Sequence, residues 1–442
     1  MTPHGPADIG SDPAVGDRVG LAIRAQVFAD HGSRGSRRYA PDGGPWTQSC
    51  SWRGMCLQSP RPDGSDHVFA DGTDLLDELL TGPLRPAEEV DRLVRQVLGG
   101  VAPGPDDAAI ADSDGWFAQL ARHGGVELTW ATFRQRVAVG RVDEAVGDHR
   151  RLSTVEVVDP AEPGCREVVA WDDADVAAAR DRVERAVVSV RELAALPIAA
   201  LPDAPVDVVL EPGRAGPLFH ELVGHPLEAD IVAAGSSYLC GRDGERVAPA
   251  WLRVSDGPAP AGEGLSAAVD DEGTPLRPVM LIEAGRVAGL LCDGLSGAPL
   301  GLPGNGHGRR LDYRHPLIPR MWHTRATAFG LAPQEPAGTL RLSPRGLRLR
   351  WMNVLTGEAE FVVEQAVLDA GDHRPHRVGR CVLSLRAGVV LSALRPGDGE
   401  VRGAGRATKG CGKLGQFPVV TTFANSGLWI PGEAVDVRSD AA

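Results

Sequence analysis

At 442 residues the chain is too long for one ordinary core, so two domains are expected. A hydrophobic share of 43% and a charged share of 24% are those of a soluble globular protein, and a net charge of −13 argues against nucleic acid as a general partner, since phosphate binding needs a basic surface. No apolar run approaches the roughly 18 residues of a membrane span, seven scattered cysteines include no C-x-x-C pair, and the N-terminus shows no basic-then-apolar leader, so the expectation is no membrane association and a reducing cytoplasm.

Residues 1–16, rich in Gly, Pro, Asp and Ser, read as a tail. From Gly20 to Val68, β-like runs (Leu21 to Phe28, Gly54 to Gln58) alternate with glycine breaks, and Asp71-Gly72 is a turn signal. Val90, Leu93, Val94 and Leu98 share one face of a helix expected over 86–98, ended by Gly99-Gly100. Residues 103–114 read as a loop. Strands follow at Val126 to Trp130, Phe133 to Val139, Ser153 to Val158 and Glu167 to Trp171. The longest helical pattern, Asp173 to Leu196, carries an apolar stripe of Val176, Ala179, Val183, Val187, Val190 and Leu193.

Pro197 to Pro205 is the linker candidate. It divides the chain into a tail (1–16), an N-terminal α+β domain (17–200) and a β-rich C-terminal domain (201–442) built as a barrel- or sandwich-like sheet. That second domain opens with a buried-strand run, Val206 to Leu210, followed by Gly213 to Gly216. Farther on, Val279 to Glu283, Ala284-Gly285 and Arg286 to Leu291 read as a hairpin. Leu340 to Leu347, Leu349 to Val354, Glu360 to Leu368 and Arg380 to Leu391 read as further strands.

The chemistry concentrates in 218–230, Leu-Phe-His-Glu-Leu-Val-Gly-His-Pro-Leu-Glu-Ala-Asp. Neutral imidazoles of His220 and His225 suit a borderline-soft cation such as zinc, and Glu221 is placed to take a proton from water that such a cation polarises. The spacing is one residue longer than H-E-x-x-H. Five steps of a regular helix leave side chains roughly 140° apart, so both His reach one ion only if the helix is distorted or ends between them. Gly224 and Pro226 make a distortion plausible, through unusual dihedrals and the restriction before proline. Two structural histidines on an irregular segment are the alternative. A third ligand decides between them. Cys411, in Thr-Lys-Gly-Cys-Gly-Lys-Leu-Gly-Gln, sits among glycines beside Lys409 and Lys413, which would favour its thiolate. Two imidazoles and a thiolate leave a tetrahedral zinc one open position; an inert buried thiol is the other reading.

His-Glu-Leu-Val-Gly-His, the following Leu-Glu-Ala-Asp and the late Gly-Cys-Gly-Lys-x-Gly-Gln together resemble the TldD/PmbA metalloprotease family. Gly235-Ser236-Ser237, Asp270-Asp271-Glu272-Gly273-Thr274, Gly304-Asn305-Gly306, Arg309-Arg310, His315-Pro316 and Pro319-Arg320-Met321 stand between these anchors in the family's order. The resemblance spans about 205–437. It implies a zinc-dependent peptidase of the TldD type, with His220, His225 and Cys411 on Zn2+ and Glu221 as the catalytic base. It also implies unfolded or extended polypeptide substrates, including modified-peptide precursors, and a homodimer or a heterodimer with a TldE-like subunit. Glu228 and Asp230 are candidates to orient a ligand His. Asp270, Asp271 and Glu272 read as a turn. His307, His315 and His323 are structural or touch substrate, and Arg309 and Arg310 hold a peptide carboxylate or carboxylates of the fold. The rivals are a non-catalytic peptide-binding subunit, which has little use for Glu221, and a metal-dependent amidase acting on a small molecule.

Overall fold

The computed structural model describes residues 26–43, 45–61, 64–71, 92, 95–97, 107–140, 145–172, 176–330, 333–336, 340–371, 374–407 and 409–440. The expected tail lies outside them, and so does the 86–98 helix except at 92 and 95–97. The chain is α+β. Its N-terminal part is one antiparallel sheet of β1 (Gln26–Tyr39), β2 (Trp46–Arg61), β3 (Gly64–Asp71), β4 (Glu127–Gly140), β5 (Ala145–Val158) and β6 (Arg166–Trp171), in the order β3-β2-β1-β4-β5-β6. The two runs expected at 126–130 and 133–139 are the single strand β4.

Helix α1 (Asp107–Gly124) occupies much of the expected loop at 103–114, a correction with a packing cause. Asp, Ser and Gly at 112–115 disfavour helix locally. Phe117 and Ala121 nevertheless bury their side chains, with Phe117 stacked against Tyr39 and Trp130. Tyr39 Oη donates to Asp114, so even the polar stretch has a partner. Helix α2 (Val176–Ala195) matches its expected stripe: Ala179, Val183, Val187, Val190 and Leu193 are buried against β5 and β6.

From 207 onward the chain is β-rich. Among the described residues the largest sheet has ten strands, nine along one path and a tenth branching from it. It begins with the hairpin β10 (Arg286–Val287) and β9 (Val279–Glu283), then β8 (Leu252–Asp256), His323–Ala328 and Thr422–Ile430. It continues through β7 (Asp207–Leu210), Arg341–Arg345, Gln365–Asp369 and His376–Val378, and Arg395–Gly405 also pairs with Thr422–Ile430. The expected turn between β9 and β10 is present: Ala284 and Gly285 both have positive φ, 48° and 74°. A second sheet joins Arg348–Asn353, Glu358–Val363, Cys381–Arg386 and Asp436–Ser439. The run expected as a strand over 380–391 is therefore half strand and half helix, Ala387–Ala393. Val390 and Leu391 enter the core from it, which a short apolar run permits in either form.

Both C-terminal sheets share one core, from Val208 and Leu342 on one to Phe361 and Leu383 on the other. The N-terminal sheet packs on this part through Ala131, Phe133 and Leu152 against Leu265, Trp322 and Val420. No helix among the described residues is long and apolar enough to cross a membrane.

Candidate metal centre

β7 delivers the chain to the site. Past Leu210 the backbone turns at Gly213 (φ 78°), and the buried side chain of Asn425 holds that turn, accepting from Ala215 N at 2.9 Å and donating to Glu211 O at 3.0 Å. A helical run then starts at Gly216, where a Cβ would lie 2.1 Å from that of Phe423. It changes form twice: Gly216–Phe219 is α, His220–Gly224 is π, and His225–Leu227 is 3₁₀.

The π turn resolves the five-residue spacing. His225 N–H donates to His220 O, an i to i+5 bond that widens the turn and brings the fifth residue back over the first. The two rings lie 4.9 Å apart, edge to face. Gly224 contributes differently from expectation. Its dihedrals are ordinary helical ones, φ −60° and ψ −65°. What it provides is space, since a Cβ there would lie 1.9 Å from Met321 Sδ. Pro226 removes the N–H that Leu222 O, four residues earlier, would receive in an α-helix. Tyr238 Oη donates to that carbonyl instead, and Ser237 Oγ donates to Pro226 O at 2.6 Å. Sequence reasoning quoted Ser237 only as a motif position and missed Tyr238 and Asn425.

Cys411 arrives on a separate hairpin, Cys411–Lys413 paired with Gln416–Val419. Gly410 lies so close to the return strand that a Cβ would meet Val419 O at 2.0 Å. Cys411 Sγ is 3.0 Å from His225 Nε2, and one ligand atom from each of His220, His225 and Cys411 lies within 4.8 Å of the others. The predicted trio thus converges. Glu221 Oε2 lies 3.8 Å from His225 Nε2 at the same edge. On the other side, His225 Nδ1 meets Glu228 Oε2 at 2.9 Å. Lys413 Nζ reaches Glu228 Oε2 (2.9 Å), Asp230 Oδ1 (2.7 Å) and Pro319 O (3.2 Å).

Burial pushes the Cys411 thiol up, but the His225 and His220 imidazoles outweigh it and hold it well below its usual range. Burial likewise opposes charge on His225, and the Cys411 thiolate and Glu228 overcome it and raise its pKa. Glu228 is pulled down to about 2: burial raises it, but His225 and then Lys413 lower it further. Glu221 moves the other way, raised by burial against the pull of both imidazoles. The lysines are not what favours the thiolate. Lys413 is spent on two carboxylates and a carbonyl, and the charged groups that act on Lys409 are Arg406, Glu156, Arg166 and Arg348.

The donor set fits zinc: two imidazoles, a thiolate, and a buried His220 Nδ1 with no hydrogen-bond partner among the described residues. Of the other candidates, Asp230 serves Lys413 rather than a ligand His. His307 lies between Asn305 and Asp256, His315 bonds Asp312, and His323 bonds Thr422. Arg309 stacks 3.8 Å over Trp322, Arg310 reaches Gln58, and Asp270 accepts the backbone N–H groups of Glu272, Thr274 and Gly308. Each of these groups has a partner within the fold.

Residues 203–367 match the profile of the PmbA/TldA metallopeptidase C-terminal domain. Those residues thus carry a C-terminal domain of the PmbA/TldD type. A "Metalloprotease TldD homolog" of Haemophilus influenzae is 38% identical over 159 residues, 36% of this chain and 32% of that protein. A "Zinc metalloprotease TldD homolog" of Saccharolobus solfataricus is 36% identical over 118 residues, 26% of each. The chain thus spans about a third or less of the length of these TldD relatives. The crystal structure of TldE from Thermococcus kodakarensis superposes with a TM-score of 0.67 at 14% identity, covering 96% of this chain and 98% of that one, a likeness of fold.

Proposed function

We propose that the protein is a zinc-dependent metallopeptidase of the TldD type, hydrolysing peptide bonds in unfolded or extended polypeptides such as modified-peptide precursors. The observation that carries this reading is the convergence of His220, His225 and Cys411, with Glu221 3.8 Å from one of the imidazoles. His220 Nδ1 or Nε2, His225 Nε2 and Cys411 Sγ would hold the metal. Bound there, zinc would polarise the scissile carbonyl and lower the pKa of water. Glu221 Oε2 takes the proton of the attacking water and passes it to the leaving amine nitrogen, a task suited to a carboxyl that burial raises above its ordinary value. Glu228 fixes the His225 ring so that Nε2 faces the site.

We read residues 17–200 as the N-terminal domain and 201–442 as the metallopeptidase domain. The working form on this reading is a cytoplasmic dimer, either of two copies or with a TldE-like subunit. The test is the metal content of wild type beside Cys411→Ser, with cleavage of an unfolded protein followed in both, alone and with such a partner. About one zinc per chain, lost together with activity in the variant, is the expected result. Metal kept in Cys411→Ser removes the thiolate from the site. Metal without cleavage in any pairing favours the peptide-binding subunit.

A further inference from the structure

We propose that Lys413 is a positioning residue of the metal centre, clasping the hairpin that carries Cys411 to the segment that follows His225. The proposal rests on the metal-binding reading above. Among the described residues the Cys411 hairpin pairs only with itself in a two-stranded sheet, and its turn residue Leu414 is 76% exposed. Sheet hydrogen bonds therefore do not set where Sγ sits relative to the histidines. Side chains do. Gln416 accepts from Leu311 N and donates to Pro316 O, both at 2.8 Å, and Arg34 Nη2 donates to Pro418 O at 2.8 Å. These contacts anchor the return strand, on the far side of the turn from Cys411.

Lys413 anchors the strand that bears the ligand. Its side chain is 8% exposed, and Nζ has three donors for its three acceptors, Glu228 Oε2, Asp230 Oδ1 and Pro319 O. An ammonium buried to that degree is costly unless it is paired in this way, so the placement is built rather than incidental. Glu228 Oε2 also meets His225 Nδ1 at 2.9 Å. One carboxylate oxygen thus connects the lysine two residues from Cys411 to the ring of His225. Loss of the ammonium frees the hairpin and the Glu228 carboxylate together, so both ligands lose their fixed direction.

The test titrates apo wild type, Lys413→Met and Asp230→Asn with Co2+ alone. It follows the thiolate-to-cobalt charge-transfer band and chelator competition, with thermal unfolding of each apoprotein as the folding control. Lys413→Met is expected to bind Co2+ roughly ten- to hundredfold more weakly, the usual effect of losing a group that orients a ligand, with a diminished thiolate band. Asp230→Asn, whose 25% exposed side chain otherwise accepts only from Ile231 N among the described residues, is expected to weaken binding several-fold with unchanged unfolding. The double variant is expected to bind no more weakly than Lys413→Met, because both remove one clasp. Should Lys413→Met not fold, Asp230→Asn decides alone. Wild-type affinity and a full thiolate band in the folded variants overturn the proposal. Failure of wild type itself to take up Co2+ overturns the metal reading, a separate outcome.

Discussion

Glu221 and Glu228 stand on either side of one imidazole and are driven in opposite directions. Glu228 has no solvent exposure, yet an imidazole and an ammonium share its Oε2, and it stays ionised far into acid. Glu221 has only imidazole neighbours to offset its burial, and its carboxyl is raised. On the proposed function, two carboxylates separated by their surroundings would divide the roles of proton carrier and fixed support. Glu221→Gln is therefore expected to keep its zinc while cleavage falls by roughly 10²- to 10⁴-fold. Metal analysis beside a peptide-cleavage assay checks this, and cleavage at the wild-type rate would end the assignment of Glu221. His220, Glu221, His225 and Cys411 stood out as candidates because residue type and local spacing suggest their chemistry, and the two imidazoles and the thiolate do converge. Lys413 was misread. Two residues of sequence suggested that its charge serves the thiolate, but its long side chain carries Nζ past Cys411 to Glu228 and Asp230.

At the scale of the element, the site depends on a helix that changes pitch within two turns. The sequence states that some distortion is required, because five residues do not close an α-turn. It does not state the kind. A π turn depends on a carbonyl finding a partner elsewhere, and that partner is Tyr238, 16 residues from Leu222. Gly224 was read for its dihedral freedom when its reason is the thioether of Met321, 97 positions away in the chain, which no local pattern reports. Helix α1 was missed for a related cause: the aromatic contacts of Phe117 override a polar stretch. Tyr238→Phe tests the π turn. It leaves Leu222 O without its donor, and the expected loss is about 1–3 kcal/mol of stability, the cost of a buried polar group left unpaired. A several-fold loss of zinc affinity should accompany it. Urea unfolding and a zinc titration measure the two, and an unchanged midpoint would mean the carbonyl is satisfied without Tyr238.

At the scale of the molecule, the N-terminal sheet meets the β-rich C-terminal part through buried charge as well as apolar contact. Arg150 of β5 donates to Asp271 at 2.5 Å and to Val269 O at 3.0 Å, with both charged side chains 1% exposed. Its guanidinium also reaches Gln135 Oε1 at 3.1 Å, and Gln135 donates to Asp30 Oδ1 at 3.1 Å. Strand alternation indicated the sheets but not this connection, whose central pair is 121 residues apart in the chain. Asp30 is fully buried, and burial is the main reason its pKa rises from 3.8 to about 8, with Asp271 adding to the rise against the hydrogen bonds from Gln135 and Trp52. A carboxyl that ionises at about 8 when folded but near its ordinary value when unfolded makes the unfolded state the weaker proton binder between those two points. Its contribution to stability is thus full below about pH 4 and is lost as pH rises toward 8, at up to about 1.4 kcal/mol per pH unit. Asp270, also raised to about 8 by burial, acts in the same sense. Wild type should accordingly show a urea midpoint that falls from pH 5 to pH 8. Asp30→Asn, with no proton to lose, should fall less steeply, keeping only the slope that Asp270 and other groups supply. Parallel pH profiles for the two proteins would mean that Asp30 is already ionised in the folded interface, and that the Asp30–Gln135–Arg150–Asp271 chain runs from anion to anion through a cation.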